Sequence, residues 1–292
     1  QRYKKMETNR TPKVMGIINI NNESFYKGSR CLNINEIDIR IKEMLANGAD
    51  IIDIGACSTR PGSTPISMEQ EWEYLKEPLK FIAKEFLSGN KYINSKNISI
   101  DTFHSKIVRR VYDILGEFIV NDISAGEDDV QMLKTVGELN LPYIAMHKRG
   151  TPNTMQQLCN YPNGVVNEVI SYFIEFEERA SKYGIKDYII DPGFGFAKTI
   201  EQNYELFNGI AQIKETLYKK LGIKRDILVG ISRKGMIWKP LNITPDEALC
   251  GTVALNLQAL LNGANIIRVH DIKEGMQCIK LQKLIKANCL LA

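Results

Sequence analysis

Polar residues recur at one kind of place in this chain, the last position of a short apolar run just before a glycine, a proline or a polar loop. They are Asn19, Asp53, Asp101, Asn121, His147, Asp191, Ser232 with Lys234, and Arg268 with His270. Short apolar runs bounded by turn residues read as buried strands. Each polar group is then delivered to a strand's C-terminal tip, which is where parallel α/β folds do chemistry. The tips divide by charge. Arg233, Lys234, Arg268 and His270 follow the last two runs, where barrels often hold phosphate. Arginine suits an oxyanion because its donor fork is planar and keeps its charge. Asp101, Asn121 and Asp191 come from the third, fourth and sixth runs. A carboxylate beside an amide matches a flat heterocycle with an N–H/NH₂ edge. Together the tips suit a substrate with an anionic end and an aminopyrimidine-like end. Taken singly, an Asp or Asn at such a tip can simply fix its own turn. Arg268 alone can be a barrel-lining ion pair to Asp271 or a neighbour. It is the recurrence that favours one shared face.

The elements that must position these groups follow from the same pattern. The stretch Tyr188 to Thr199 is the organising one. Its apolar run stops at Asp191, Pro192 and Gly193 force a turn, and Thr199 with Gln202 has the spacing of a capping box that opens a helix. Other strands are expected at 14–19, 50–55, 97–102, 118–123, 141–147, 226–232 and 265–271. Helices are expected between them. One starts at Thr244, where Pro245, Asp246 and Glu247 form a strong N-terminal signal. Another is capped by Ser67 with Gln70. About eight strand-then-helix units predict a single-domain α/β fold, a (β/α)₈ TIM barrel spanning 14–292, after a polar leader at 1–13. A doubly wound open sheet is the alternative, since apolar strands alone do not show closure. The absence of Gly-x-Gly-x-x-Gly after the first strand favours the barrel. The loops 21–30 and 58–67 are long, polar and glycine-containing, which suits lids or ordinary surface loops.

Composition excludes other classes. The 292 residues are 44% hydrophobic and 25% charged, the balance of a soluble globular protein. A net charge of +4 gives no support to wholesale nucleic-acid binding. No apolar run reaches the length of a membrane helix, so no membrane partner is expected. Six cysteines lie scattered without a C-x-x-C pair, which argues against a structural zinc site and predicts reduced thiols in the cytoplasm.

The tips and their flanks resemble the dihydropteroate synthase family. The likeness rests on Met-Gly-Ile-Ile-Asn-Ile from Met15, Asp53-Ile-Gly with Ser-Thr-Arg-Pro-Gly from Ser58, Ile-Ser-Ile-Asp-Thr from Ile98, and Asn-Asp-Ile-Ser from Asn121. It continues in Met146-His147 with Arg-Gly-Thr-Pro from Arg149, Asp-Pro-Gly-Phe-Gly-Phe from Asp191, Gly-Ile-Ser-Arg-Lys from Gly230, and Arg-Val-His from Arg268. The resemblance implies condensation of 6-hydroxymethyl-7,8-dihydropterin diphosphate with 4-aminobenzoate. It assigns Asp101, Asn121, Asp191, Lys234 and Arg268 to the pterin, and Asn19, Arg268 and His270 to the diphosphate. Arg268, His270 and Lys234 carry catalysis. Thr59, Arg60, Pro61, Phe196 and Ser232 form the aminobenzoate pocket. Mg²⁺ is the implied cofactor, met by Asn19, and a homodimer through the late helices is the implied assembly. No protein nucleophile is required, and Ser232 has no evident base partner. The first loop departs from the family pattern, with Lys27 where an acid is usual; Glu23 can substitute. Two other readings remain: a pterin-dependent methyltransferase barrel, which has no need of the Ser58 or Ser232 motifs, and a non-catalytic pterin-binding paralogue.

Overall fold

The computed structural model describes residues 11–20, 33–57, 66–87 and 95–288. Eight strands alternate with helices along them: β1 (Lys13–Asn19), β2 (Ile51–Gly55), β3 (Ile98–Asp101), β4 (Ile119–Asp122), β5 (Tyr143–Met146), β6 (Tyr188–Asp191), β7 (Leu228–Val229) and β8 (Ile266–Val269). All pairings are parallel, in the order β6-β5-β4-β3-β2-β1-β8-β7. The ring closes between the two ends of that order. Ile190 bridges Ile227, and the Ile190 N–H donates to the Asp226 carbonyl at 2.9 Å. The barrel expected from the strand count is therefore the observed architecture, and the open sheet is not.

Strand parity decides what lies inside. Alternate residues face opposite sides of a strand. On the outer side Val14, Ile18, Ile52, Ile100, Val120, Ile190, Val229 and Ile267 are buried against helices. On the inner side Met15, Ile51, Ile119, Ile144, Leu228 and Ile266 form a separate apolar plug. Two residues further along the same inner faces come Ile17, Asp53, Asn121, Met146, Gly230 and Arg268. Asp101 and Asp191 join them in register, since Asp101 pairs with Asn121 and Met146 with Asp191. The barrel floor is therefore dry, and its C-terminal mouth is polar.

The helices are α1 (Ile34–Ala46), α2 (Met68–Leu87), α3 (Ser105–Leu115), α4 (Met132–Glu138), α5 (Val165–Ser181), α6 (Ile200–Asn208), α7 (Ile210–Leu221), α8 (Gly235–Leu241), α9 (Leu249–Leu261) and α10 (Ile272–Asn288). Thr199 and Gln202 make the expected reciprocal cap of α6. Ser67 and Gln70 do the same before α2. Two expectations need correction. The strand expected over 226–232 is only Leu228–Val229. The Ile227 N–H goes to the Asn265 side chain at 3.1 Å, and the chain turns between Ile231 and Lys234. The helix expected from Thr244 starts at Leu249. Thr244 and Glu247 do pair, but the Arg233 guanidinium takes the carbonyls of Pro245 and Asp246, at 2.9 and 2.6 Å. A helix starting at Thr244 would need those acceptors for its own ladder.

Candidate active site

A cavity of about 780 Å³ opens at the C-terminal mouth of the barrel. Asn19, Asp101, Asn121, Asp191, Phe196, Ser232, Lys234, Arg268 and His270 all line it. Residues from six different strand ends thus meet in one place, which is where the sequence pattern expects chemistry. Thr59, Arg60 and Pro61, with Glu23 and Lys27, lie outside the described residues.

The centre of the site is a buried ion cluster. Arg268 Nε donates to Asp53 Oδ2 at 2.7 Å, and its Nη2 donates to Asp101 Oδ2 at 3.0 Å. Asn121 Nδ2 donates to the same Asp53 oxygen at 3.1 Å. Asp53 is wholly buried, and its Oδ1 has no hydrogen-bond partner among the described residues. Burial and the neighbouring Asp53 charge raise the Asp101 carboxyl to about 7, against the pull of Arg268. Burial works against the Arg268 charge, but Asp53 and Asp101 hold that group above its ordinary value. Burial likewise raises Asp191, whose Oδ1 accepts the Gly193 N–H at 2.8 Å.

Lys234 completes this side. Its Nζ donates to the Phe194 carbonyl at 2.7 Å and sits 5.0 Å from the Phe196 ring centroid. Burial brings its ammonium down to about 8. Next to it, Ser232 Oγ lies 2.9 Å from His270 Nδ1 and accepts the His270 backbone N–H at 3.3 Å. With the serine hydroxyl donating to Nδ1, the ring proton sits on Nε2. This corrects the expectation that Ser232 has no base partner. The imidazole is nevertheless a poor base. Burial, with the charges of Arg268, Arg233 and Lys234, pushes it down to about 3. The serine–histidine pair is thus built to orient a neutral N–H donor, not to activate a nucleophile.

A second correction concerns Arg233, grouped above with the anion-binding cations. Its guanidinium makes a two-point contact with Asp271, at 2.9 and 3.0 Å, besides the two loop carbonyls. It is buried and anchors the loop before α9. Arg268, for its part, is an ion pair to Asp53 and Asp101, while Asp271 belongs to Arg233.

The model of the pterin binding enzyme family matches residues 15–270. Dihydropteroate synthase of Escherichia coli is 35% identical over 272 residues, covering 92% of this chain and 90% of the relative. The chain belongs to the dihydropteroate synthase family. The structure of Yersinia pestis dihydropteroate synthase with a sulfonamide drug agrees, with a TM-score of 0.85, 30% identity and 95% of each chain covered. The mitochondrial folate synthesis bifunctional protein of Pisum sativum is 37% identical over 94% of this chain. The chain spans about half of that relative's length, 54%.

Two residues of this family member lie in or beside the site without a role assigned from sequence. Asp53 was visible as a strand tip, but its partner Arg268 is 215 residues away. Lys198, 3% exposed, reaches the cavity wall from just beyond the Gly-Phe-Gly-Phe turn. The pattern around it, a lysine before a helix N-cap, carried no signal of burial.

Proposed function

We propose that the chain joins 6-hydroxymethyl-7,8-dihydropterin diphosphate to 4-aminobenzoate, giving 7,8-dihydropteroate and pyrophosphate. The observation that carries this reading is the mixed charge of one rim. Asp101, Asn121 and Asp191 bring acceptors and an amide to the cavity, and Arg268, His270 and Lys234 bring donors to the same cavity. The first set suits the pterin ring edge, with Lys234 beside it. The second suits the departing diphosphate, and the resemblance adds stacking of Arg268 on the ring. Phe196 and Ser232 border the arylamine subsite, to which the resemblance adds Thr59, Arg60 and Pro61.

In this scheme the bond from the pterin methylene carbon to the diphosphate oxygen breaks first. The electron pair leaves with pyrophosphate, and the arylamine nitrogen then attacks the pterin cation and loses a proton. The protein's part is to hold the ring, exclude water and offer Arg268 and the His270 Nε2–H to the growing negative charge. A magnesium ion fits this site as a companion of the diphosphate. Among the described residues no group of three His, Cys, Asp or Glu could cage a metal ion. The Asn19 amide oxygen, at the tip of β1, is a hard donor of the kind Mg²⁺ accepts alongside phosphate oxygens and water. Bound there, the ion would help to neutralise the leaving group.

An assay for pyrophosphate tests the reaction. With both substrates, one dihydropteroate should form for each pyrophosphate released; no release with both, or release without dihydropteroate, overturns the assignment. The titrations add a shape to it. The rate constant kcat/KM for the pterin substrate should rise as Asp101 loses its proton near pH 7 and fall as Lys234 loses its own near pH 8. A flat profile from pH 6 to 9 would remove both residues from the ring edge.

We also infer a homodimer. α9 is apolar on several sides, and α10, packed on it, exposes Leu281, Leu284 and Ile285. A contiguous apolar face of this kind favours association, and sedimentation velocity decides it. The cytoplasm is the favoured compartment. No helix among the described residues is long and apolar enough to cross a membrane, and the thiols of Cys159, Cys250 and Cys278 are not bridged.

A further inference from the structure

The turn that follows β6 is held by side chains at six of its backbone groups. Gly193, Gly195 and Ala197 all have positive φ, of 74°, 83° and 50°. For Ala197 that conformation crowds the Cβ against the following carbonyl, so the turn needs outside support. The Gly193 and Gly195 N–H groups go to Asp191 Oδ1 and Asn203 Oδ1. The Phe194 carbonyl accepts from Lys234 and the Ala197 carbonyl from Tyr161. The carbonyls of Gly193 and Phe196 both accept from one group, the Lys198 ammonium, each at 2.9 Å.

An ammonium has three protons to donate. The third contact of Lys198 is His147 Nδ1, at 3.0 Å. His147 is the residue that follows β5, and its side chain is buried. Its ring stands edge-on to Tyr172, with centroids 4.9 Å apart. Burial brings the Lys198 ammonium down to about 7, and burial with the Lys198 charge keeps the imidazole well below its usual titration range. A protonated Lys198 has no lone pair, so opposite it Nδ1 is the acceptor. The two segments are also pressed together at the backbone. A Cβ on Gly193 would lie 1.9 Å from the His147 carbonyl oxygen. Lys198 is therefore the tie between the end of β5 and the turn that carries Phe196 into the cavity.

We propose that Lys198 and His147 are positioning residues for the arylamine subsite: His147 fixes the Lys198 ammonium, and Lys198 fixes the Gly193 and Phe196 carbonyls so that the Phe196 ring keeps one place in the cavity wall. This inference rests on the assignment of Phe196 to the arylamine. It gives His147 a role that its position among the strand tips did not reveal. The side chain points behind the turn, not into the mouth. Of the pterin contacts, Asp101 and Asn121 lie on β3 and β4, away from this tie, whereas Asp191 and Lys234 are bonded to the same turn, at the Gly193 N–H and the Phe194 carbonyl.

The test uses two substitutions at one position. His147→Asn keeps an acceptor near the place of Nδ1, and His147→Leu fills the space without one. His147→Leu should raise KM for 4-aminobenzoate about tenfold, the size expected for losing one hydrogen bond to a charged group. KM for the pterin diphosphate should rise by a clearly smaller factor, since Asp101 and Asn121 lie away from the turn, and His147→Asn should restore most of the loss. Lys198→Met, which releases both carbonyls, should act in the same direction and more strongly. It carries the same contrast if leucine at 147 prevents folding. Equal rises in both KM values, or asparagine and leucine behaving alike, overturn the positioning role. Wild-type protein that releases no pyrophosphate overturns instead the reaction on which the inference rests.

Discussion

With alanine in place of Arg268, turnover falls by about 10²–10³-fold, the loss seen when one preorganised oxyanion donor is removed. The guanidinium is held at 2.7 and 3.0 Å by Asp53 and Asp101, so in the proposed reaction its charge would already be in place when the diphosphate begins to leave. No reorganisation is then needed in the transition state. Alanine acts through a second route as well. Arg268 is what opposes the upward pull on Asp101, so without it that carboxyl moves further above about 7 and is more often protonated at neutral pH. Pterin affinity then falls along with kcat. Arg268→Lys separates the routes. It keeps a positive charge near Asp101 but lacks the planar fork, and reaches one carboxylate in place of two. Its KM for the pterin should stay closer to wild type than its kcat does. Steady-state kinetics of both variants check this, and near-normal kcat in Arg268→Ala would remove the residue from the catalytic step.

How much of this was legible before the coordinates depends on how local the cause is. Asp101, Asn121 and Asp191 are readable because each stands at the tip of a short apolar run before a turn, and that signal is local. The caps at Ser67 and Thr199 were readable for the same reason. Closure of the ring was not, because β6 and β7 would look alike at the edges of an open sheet. Only the contact between Ile190 and Ile227 distinguishes the two. The partner of a long cation was not readable either. Arg233 and Arg268 both lie at the ends of apolar runs, yet one turns to Asp271 and the α8–α9 loop while the other enters the mouth. The late start of α9 follows from that choice, since Arg233 occupies carbonyls that the capping signal at Thr244 would have used. The role of His147 was hidden because a strand-tip residue can point past the tip as easily as into it.

Asp53→Asn should be the most informative change away from substrate. The substitution keeps the shape of a wholly buried side chain and removes its charge. Arg268 then retains Asp101 alone, and breaking one partner out of a buried ion cluster lowers stability by about 3–5 kcal/mol. The sign of the pH effect follows from Asp101. Its pKa in the folded state, about 7, is above the ordinary value of 3.8, so its contribution to stability is fully present below that ordinary value and is lost as pH rises through about 7. The Asp53 charge is, after burial, the largest cause of that elevation. Removing it brings the Asp101 pKa down, and the variant's stability should therefore decline less between pH 5 and pH 8 than that of the wild type. The rising limb of kcat/KM should move to lower pH with it. Urea unfolding at several pH values, run beside the pH–rate profile, reads both effects. An unshifted limb, or a variant within about 0.5 kcal/mol of wild type, would mean that Asp53 fills space without governing the charge of the cluster, and the tuning of Asp101 would then belong to burial alone.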